Sequence, residues 1–257
     1  GVLEIFHRDF LKADADWFYR LDELAKTGAS ALENALAMRI LNAQNQQLAL
    51  AYDQTIEAWA RALELRDYEP QGHTQRVTEM TIQFARILGI AESTLVHLRR
   101  GAMLHDVGKM GIPDEILLKN ESLTEGDWVV MRRHPHIAYD QLSTVEFLKP
   151  ALEIPLYHHE KWDGTGYPEG LAGEKIPLAA RIFSLVDVWD SLSSERPYRK
   201  AWPQPQVLNY LRDRGGKSFD PHLADVFVKL LEQGIKRKDS LERTANRGNY
   251  LETSFDV

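Results

Sequence analysis

Histidines stand in positions of this sequence where they could bind a metal ion. His158 and His159 are adjacent, and a loop with two glycines and a proline follows them at 164–168. Neutral imidazole is a common metal ligand, and glycine lets the backbone approach a bulky ligand closely. We therefore interpret 158–168 as part of a metal centre and its entrance. The histidines that stand apart from plain helical patterning are His73, His105, His134, His158 and His159.

A second cluster lies earlier in the chain, where His105 and Asp106 are consecutive and Gly108 and Lys109 follow. Consecutive helical residues point about 100° apart, so the pair would not share one metal symmetrically. The two oxygens of Asp106 could bridge two cations while His105 binds one of them. The alternative is an ordinary helix end, where His105 and Lys109 complement the helix dipole and Gly108 caps the helix.

The acid Asp187 interrupts the apolar face of a helical stretch at 179–190. Burying an unpaired carboxylate is unfavourable, so we expect a cation beside it. Arg181 and a metal ion are the two candidates, and this stretch alone does not separate them.

The elements that must position these residues are predicted to be helices, and we expect an all-α bundle. The first helix is unusually long, because residues 14–66 contain almost no helix breaker. A proline at 70 marks the next boundary. The further predicted helices span 70–88, 93–105, 124–134, 137–142, 152–159, 178–192, 205–214 and 221–233.

The domain organisation follows from these elements. Residues 1–13 open with an alternating, strand-like stretch, and a lone strand cannot stabilise itself, so we expect the end of a sheet domain. The chain starts with glycine rather than Met, which suggests a piece of a longer protein. We expect a signalling and dimerisation helix at 14–68, a catalytic domain at 69–235 and a charged tail at 236–257.

The long helix allows two interpretations. It could be an amphipathic helix that packs on its own domain. It could also be a marginal parallel coiled coil that joins two domains in a homodimer. Residues between Leu41 and Ala62 form an a/d seam in which several members are polar or small. We favour the coiled coil, because polar seam residues fix the register at a cost in stability.

Composition excludes several classes of function. The apolar content of 44% and charged content of 27% in 257 residues are ordinary for a globular protein. A net charge of −7 argues against binding a nucleic-acid polymer, for which a basic surface is usual. The absence of cysteine excludes disulfides and thiolate metal sites and fits the cytoplasm. No apolar run is long enough to span a membrane.

Taken together, the order His73, His105-Asp106 and Asp187 resembles the HD superfamily of metal-dependent phosphohydrolases. Further motifs point to its HD-GYP branch, and they lie at 158–160, 163–164, 166–168, 170–173, 176–177, 193–199 and 219–221. This resemblance covers about residues 65–235. The segment before it resembles, more loosely, the end of a bacterial GAF sensory domain that leads into a signalling helix.

The resemblance implies a set of metal ligands. They fall at His73, His105, Asp106, His134, His158, His159 and Asp187. Glu69 matches the glutamate of members that hold three ions, although a carboxylate there could also cap a helix. We therefore expect two or three divalent ions, Fe or Mn before other metals that accept nitrogen and oxygen ligands.

The activity that the resemblance implies is hydrolysis of cyclic di-GMP to pGpG, and in some members to GMP, under the control of the sensory domain. Asp106 and Lys109 would be catalytic. The substrate-binding residues would be Lys109, Arg196, Arg199, Gly166, Tyr167 and Pro168. Surface salt bridges are the alternative role of the basic residues. A catalytically silent sensor and a nucleotide phosphohydrolase are the alternative functions. We interpret Trp128 and Trp162 as packing residues rather than base-stacking platforms.

Overall fold

A computed structural model describes residues 2, 4, 14–67, 70, 72–119, 121–195 and 199–234. In this part the chain is mostly helical, and β-pairing between described residues is confined to isolated bridges such as Asp163 with Ala172. The predicted all-α fold is therefore confirmed. Nearly all of 1–13, the tail at 236–257, Glu69 and Arg196 lie outside the described residues.

One long helix precedes a series of shorter ones. In chain order they are α1 (Ala15–Arg66), α2 (His73–Ile87), α3 (Glu92–Met103), α4 (Asp114–Leu117), α5 (Glu125–Met131), α6 (His134–Leu142), α7 (Glu153–Tyr157), α8 (Leu178–Ser193), α9 (Gln204–Asp213) and α10 (221–234). Short 3-10 segments span Val107–Gly111, Glu146–Ala151 and Gly173–Lys175.

The chain divides into two compact units, residues 1–55 and 56–257. In the first unit α1 exposes large apolar side chains, among them Leu32, Ile40 and Leu41. An isolated helix has no surface of its own against which to bury such a face. The exposed side chains are compatible with the coiled coil predicted within 14–68, which stays a prediction.

In the second unit, α2, α3, α8, α9 and α10 enclose the main apolar core. Phe84, Phe183 and Phe227 are completely buried there, and the ring centroids of Phe84 and Phe227 lie 4.8 Å apart. A smaller cluster holds the last turns of α1, and it contains Ile56, Leu104, Leu142, Leu148 and Leu152. Apolar packing therefore fixes the helices on both sides of the His105-Asp106 turn.

Several predicted helix ends are wrong by two or three residues, and these ends carry the candidate ligands. The helix α3 ends at Met103 instead of 105, and α7 ends at Tyr157 instead of 159. The helix α6 begins at His134 instead of 137. Both doublets therefore lie in turns just after a helix, where the 100° rotation between helical neighbours does not apply.

The start of α2 is also later than predicted, at His73 instead of 70. Gly72 has a left-handed conformation with φ +76°. The carboxylate of Glu64 in α1 accepts hydrogen bonds from the backbone N–H of Gly72 (3.1 Å) and of Thr74 (2.6 Å). A carboxylate stabilises a helix start through such bonds and through the helix dipole, so α1 fixes His73 as the first residue of α2.

Candidate metal centre

Seven of the predicted ligands come together in two groups of atoms. One group contains Asp106, His134, His158 and His159, and the other contains His73, His105 and Asp187. Within each group, one possible ligand atom per residue lies within 4.8 Å of the others. The groups meet at the doublet, where His105 Nε2 lies 3.1 Å from Asp106 Oδ2. In this position the two oxygens of Asp106 could each bind a different cation, as predicted from the sequence for a bridging carboxylate.

Backbone hydrogen bonds fix the orientation of three of these imidazoles. The Nδ1 atom of His105 lies 2.8 Å from the carbonyl of Ala102, and that of His134 lies 2.8 Å from the carbonyl of Met131. His158 Nδ1 lies 3.0 Å from the carbonyl of Ile154. A carbonyl only accepts, so Nδ1 carries the proton and the Nε2 lone pair faces the cluster.

His73 is held by a carboxylate instead. Its Nδ1 lies 2.8 Å from Asp190 Oδ2, while Arg76 Nε donates to Asp190 Oδ1 at 2.7 Å. Burial opposes ionisation of Asp190, but hydrogen bonds from His73 and Arg76 lower its pKa to about 2. The arrangement matches the carboxylate–histidine pairs that orient metal ligands. This role of Asp190 was not predicted from the sequence, although Asp190 stands three residues after Asp187 on one helix face.

Asp187 lies on the inner side of His73, 3.4 Å from its Nε2 atom. Arg181, the other cation that was considered for this acid, forms an ion pair with Asp220 at 2.8 Å. Although burial acts in the opposite direction, the adjacent His73 lowers the pKa of Asp187. The carboxylate therefore stays negative within the cluster, as a cation site requires.

Three buried polar atoms of the cluster have no hydrogen-bond partner in the described part of the chain. They are Asp106 Oδ1, His134 Nε2 and His158 Nε2. The two nitrogens lie 3.4 and 3.6 Å from that oxygen. Unsatisfied buried polar groups are rare because they are costly. Two lone-pair nitrogens and a carboxylate oxygen that face one another fit a divalent cation between them.

The protonation states also suit a cation. Burial lowers the pKa of His134 to about 4, and burial together with His158 holds the pKa of His159 well below its usual value. Although burial acts in the opposite direction, the charge of Lys109 keeps the pKa of Asp106 well below its usual value. Neutral imidazoles and an ionised carboxylate are the ligand forms that metals need.

A close contact brings the HD turn against α6. A Cβ atom on Gly108 would lie 1.8 Å from the carbonyl oxygen of His134 and 2.7 Å from the backbone nitrogen of Ala138. Any other residue at 108 would push the turn away from His134. Gly108 does not have the positive φ of a glycine cap, so its predicted alternative role as a helix cap is wrong. It permits close packing.

The loop after α7 folds back over the ligand doublet. The buried carboxylate of Glu160 accepts hydrogen bonds from the backbone N–H of Glu169 (2.7 Å) and of Leu171 (3.1 Å). A Cβ atom on Gly166 would lie 2.3 Å from the backbone nitrogen of Lys161. Glycine at 166 is therefore required for packing. Glu160 organises the loop, a role that the sequence analysis missed.

Tyr167 and Pro168 form the part of this loop that faces the ligands. The Tyr167 ring stacks on the His159 ring with centroids 4.7 Å apart, and a cis peptide bond joins it to Pro168. Burial raises the pKa of Tyr167, so its hydroxyl stays protonated. The loop thus supplies an apolar wall with one hydroxyl beside the cluster.

The basic residues that were predicted to contact substrate have different surroundings. Lys109 Nζ lies 2.7 Å from Asp106 Oδ2 and 3.1 Å from Asp67 Oδ2. Arg199 donates to the carbonyl of Ser191 and lies 5.5 Å from the ring centroid of Trp202. Lys109 thus adjoins the cluster directly, whereas the described contacts of Arg199 are with the end of α8 and with Trp202.

The end of α1 is tied to the same region. Besides the cap that Glu64 provides, Arg66 donates to the backbone carbonyls of Met110 (2.8 Å) and Ile112 (3.2 Å). Asp67 follows directly and holds Lys109. None of these three roles was predicted from the sequence. Arg66 and Asp67 contact groups 42 to 46 residues away, and Glu64 contacts backbone N–H groups 8 and 10 residues away, so the contacts leave no local pattern.

Comparison with known proteins identifies the family. The model of the HD-domain family matches residues 57–223, which include all seven clustered histidines and aspartates. This chain belongs to the HD-domain family. In the described part of the chain, no helix combines the length and the apolar content that crossing a bilayer requires.

Relatives within the family act on cyclic dinucleotides. The chain is 39% identical over 211 residues to the cyclic di-GMP phosphodiesterase response regulator RpfG of Xanthomonas campestris, covering 80% of this chain and 56% of RpfG. It is 36% identical over 184 residues to 3'3'-cGAMP-specific phosphodiesterase 2 of Vibrio cholerae, covering 71% of this chain and 35% of that protein.

A solved structure supports the same fold. A cyclic GMP-AMP-specific phosphodiesterase of V. cholerae, V-cGAP3, superimposes with a TM-score of 0.54 at 21% identity. The match covers 70% of this chain and 48% of that one. The chain thus spans about half the length, or less, of the proteins it matches.

Proposed function

We propose that this chain is a metal-dependent phosphodiesterase that hydrolyses cyclic di-GMP to pGpG. The observation that carries this proposal is the set of buried ligand atoms without partners, Asp106 Oδ1, His134 Nε2 and His158 Nε2, which face one another in the cluster. The substrate class is supported by the names of the relatives, RpfG in particular.

The cluster would hold two or three divalent ions, with Fe or Mn as the first candidates. His134, His158 and His159 would bind one ion, while His73, His105 and Asp187 would bind another, and Asp106 would bridge them. When bound, such ions lower the pKa of a water molecule and stabilise negative charge on a phosphodiester. Glu69 is proposed as a ligand of a third ion.

The remaining residues of the site would hold the substrate. Lys109 lies beside the bridging carboxylate, so its ammonium is placed to offset negative charge that develops on a phosphate oxygen. The loop with Gly166, Tyr167 and Pro168 would enclose the nucleotide and exclude water. Arg196 and Arg199 are proposed as further phosphate contacts, on the motif alone.

One assay tests this function and its alternatives. The purified protein is treated with a chelator, reloaded without oxygen with Fe(II) or Mn(II), and given cyclic di-GMP, 3'3'-cGAMP or mononucleotides. We expect metal-dependent formation of pGpG, and chromatography shows whether GMP follows. Binding without turnover would instead support a silent sensor. Cleavage of mononucleotides alone would support a nucleotide phosphohydrolase.

A second candidate substrate is 3'3'-cGAMP, because one relative at 36% identity is named for that specificity. The two substrates differ in a single base, so the metal cluster handles both in the same way. A higher kcat/KM for 3'3'-cGAMP than for cyclic di-GMP in the same assay would establish this alternative.

We further propose that the domain works as a homodimer in which α1 transmits a signal from a GAF-like domain before residue 14. The contacts of Glu64, Arg66 and Asp67 with α2, with Met110 and with Lys109 support this idea. They connect the last turn of α1 with groups that adjoin the ligands His73 and Asp106. A change in the position of that turn would therefore reach the metal centre directly.

A further inference from the structure

Arg132 lies at the end of α5, two residues before the ligand His134, and its guanidinium contacts two aromatic rings. The Cζ atom is 5.8 Å from the ring centroid of Trp128 and 5.6 Å from that of Tyr167. Trp128 precedes it by one helical turn, and Tyr167 stacks on the ligand His159. Ring contacts therefore connect the exposed guanidinium of Arg132 with the metal cluster.

Among the described residues, the guanidinium of Arg132 has neither a carboxylate partner nor a hydrogen-bond acceptor. This distinguishes it from Lys109, which has two carboxylates beside it, and from Arg199, which donates to the carbonyl of Ser191. A guanidinium whose only contacts are with aromatic rings keeps its N–H groups for other partners. The edge of a guanidinium matches two phosphate oxygens.

The two rings also limit the freedom of the side chain. Trp128 is 42% exposed, so the aromatic and cationic surface that it forms with Arg132 is open to solvent at the edge of the site. Contact with the two rings restricts the Arg132 side chain before the ligand binds, and this reduces the conformational entropy that is lost on binding. A protein with a net charge of −7 needs local cations of this kind to bind an anion.

We propose that Arg132 is a substrate-binding residue for the phosphodiester of the cyclic dinucleotide that is not being cleaved. This inference rests on the proposed function. A cyclic dinucleotide has two phosphodiesters in one ring, so when one lies at the metal ligands the second lies nearby. Arg132 stands beside the Tyr167 wall with its donors available, and Trp128 acts with it as a positioning residue.

A purely structural role predicts different behaviour. A cation at the end of a helix interacts favourably with the helix dipole, and stacking on Trp128 at i and i+4 stabilises the helix slightly. Removal of such a group changes thermal stability and leaves substrate affinity alone. The neighbouring Arg133 is a matched control, because it is exposed, sits at the same helix end and carries the same charge.

The test compares Arg132→Ala, Arg132→Lys and Arg133→Ala in Mn(II)-loaded protein. We expect Arg132→Ala to raise the KM for cyclic di-GMP about tenfold with a much smaller change in kcat, because hydrogen bonds to charged groups are strong. The KM of Arg132→Lys should lie between those of Arg132→Ala and the unaltered protein, because lysine keeps the positive charge but lacks the paired N–H donors of the guanidinium. Arg133→Ala should match the unaltered protein.

Two further measurements separate binding from catalysis. Calorimetry of metal-free protein should give the same ranking of affinity for cyclic di-GMP. The loss of kcat/KM in Arg132→Ala should also be about tenfold larger for cyclic di-GMP than for bis(p-nitrophenyl) phosphate, which has a single phosphodiester.

Equal KM values for Arg132→Ala and Arg133→Ala would overturn the assignment, and so would equal losses on the two substrates or loss of bound metal. If the unaltered protein cleaves cyclic di-GMP and only these comparisons fail, the proposed function stands and Arg132 has another role. If the unaltered protein neither binds nor cleaves cyclic di-GMP, both proposals fail.

Discussion

At the residue scale, three of the clustered histidines are oriented by backbone carbonyls of the helices that precede them. The last carbonyls of an α-helix have no partner within the helix. The carbonyls of Ala102 and Met131 lie at the ends of α3 and α5, and each accepts from the Nδ1 of a histidine three residues later. At these two ends the same bond satisfies the helix end and turns Nε2 towards the cluster. The carbonyl of Ile154 in α7 accepts from the backbone N–H of His158, and the Nδ1 of the same histidine contacts it too, which orients His158 in the same way.

Removal of the bridging carboxylate tests the centre of this arrangement. We expect Asp106→Ala to lose bound metal and to lower turnover of cyclic di-GMP by a factor of about 100 or more. Loss of a residue that only supports a metal ligand already lowers metal affinity or activity by about 10- to 100-fold, and loss of a ligand should lower it at least as much. The control is Asp140→Ala, which removes an exposed acid. Retained metal and an unchanged rate, measured by elemental analysis and product formation, would mean that the doublet is merely a helix end.

The pH dependence of stability tests the buried state of His134. Its pKa is lowered to about 4 by burial, compared with about 6.5 when unfolded. Between these values the unfolded chain binds more protons, so this residue's contribution is complete above pH 6.5 and is lost as the pH falls towards 4. The metal-free protein should lose up to about 3 kcal/mol from this group.

Urea unfolding of the metal-free protein at several pH values measures that loss. The variant His134→Gln should show a weaker dependence on pH over this window than the unaltered protein. The exposed His136 provides the control, and His136→Gln should retain the full dependence. Identical slopes for His134→Gln and the unaltered protein would contradict a buried, neutral imidazole at 134.

At the scale of elements, the contact between the HD turn and α6 depends on the missing side chain of Gly108. We expect Gly108→Ala to destabilise the protein by about 1–3 kcal/mol, the usual range for overpacking, and to reduce metal binding by displacing His134. The same change at Gly126, an exposed helical position where a Cβ would make only an ordinary 3.9 Å contact with Thr124 Oγ1, should be stabilising by up to about 1 kcal/mol. Unfolding curves and metal titration measure both effects.

The sequence was a good guide to the helices and to the clustered ligands, because apolar periodicity and His/Asp motifs are local signals. It misplaced the helix ends at 103, 131 and 157, since those ends depend on turns that tertiary packing fixes. It also missed Asp190, Glu64 and Asp67. Their partners lie 8 to 117 residues away in the chain, and such pairings cannot be read from local pattern.

At the scale of the whole molecule, α1 exposes large apolar side chains between residues 15 and 55, and we expect a second copy of the chain to cover them. We expect the chain to be a dimer at micromolar concentration in sedimentation and light scattering. Leu41→Lys combined with Leu48→Lys should shift it to monomer, because both side chains lie on the predicted seam. Ala43→Lys, off the seam, should leave the dimer intact. A monomer in the unaltered chain would rule out the coiled coil.

Anomalous diffraction from Mn(II)-loaded crystals tests the metal centre most directly. The account predicts separate peaks for at least two ions, one beside His134, His158 and His159 and one beside His73, His105 and Asp187, with Asp106 between them. For His105, His134 and His158, nitrogen ligation should be through Nε2. A map without a peak at this cluster, or with ions bound only elsewhere, would contradict it.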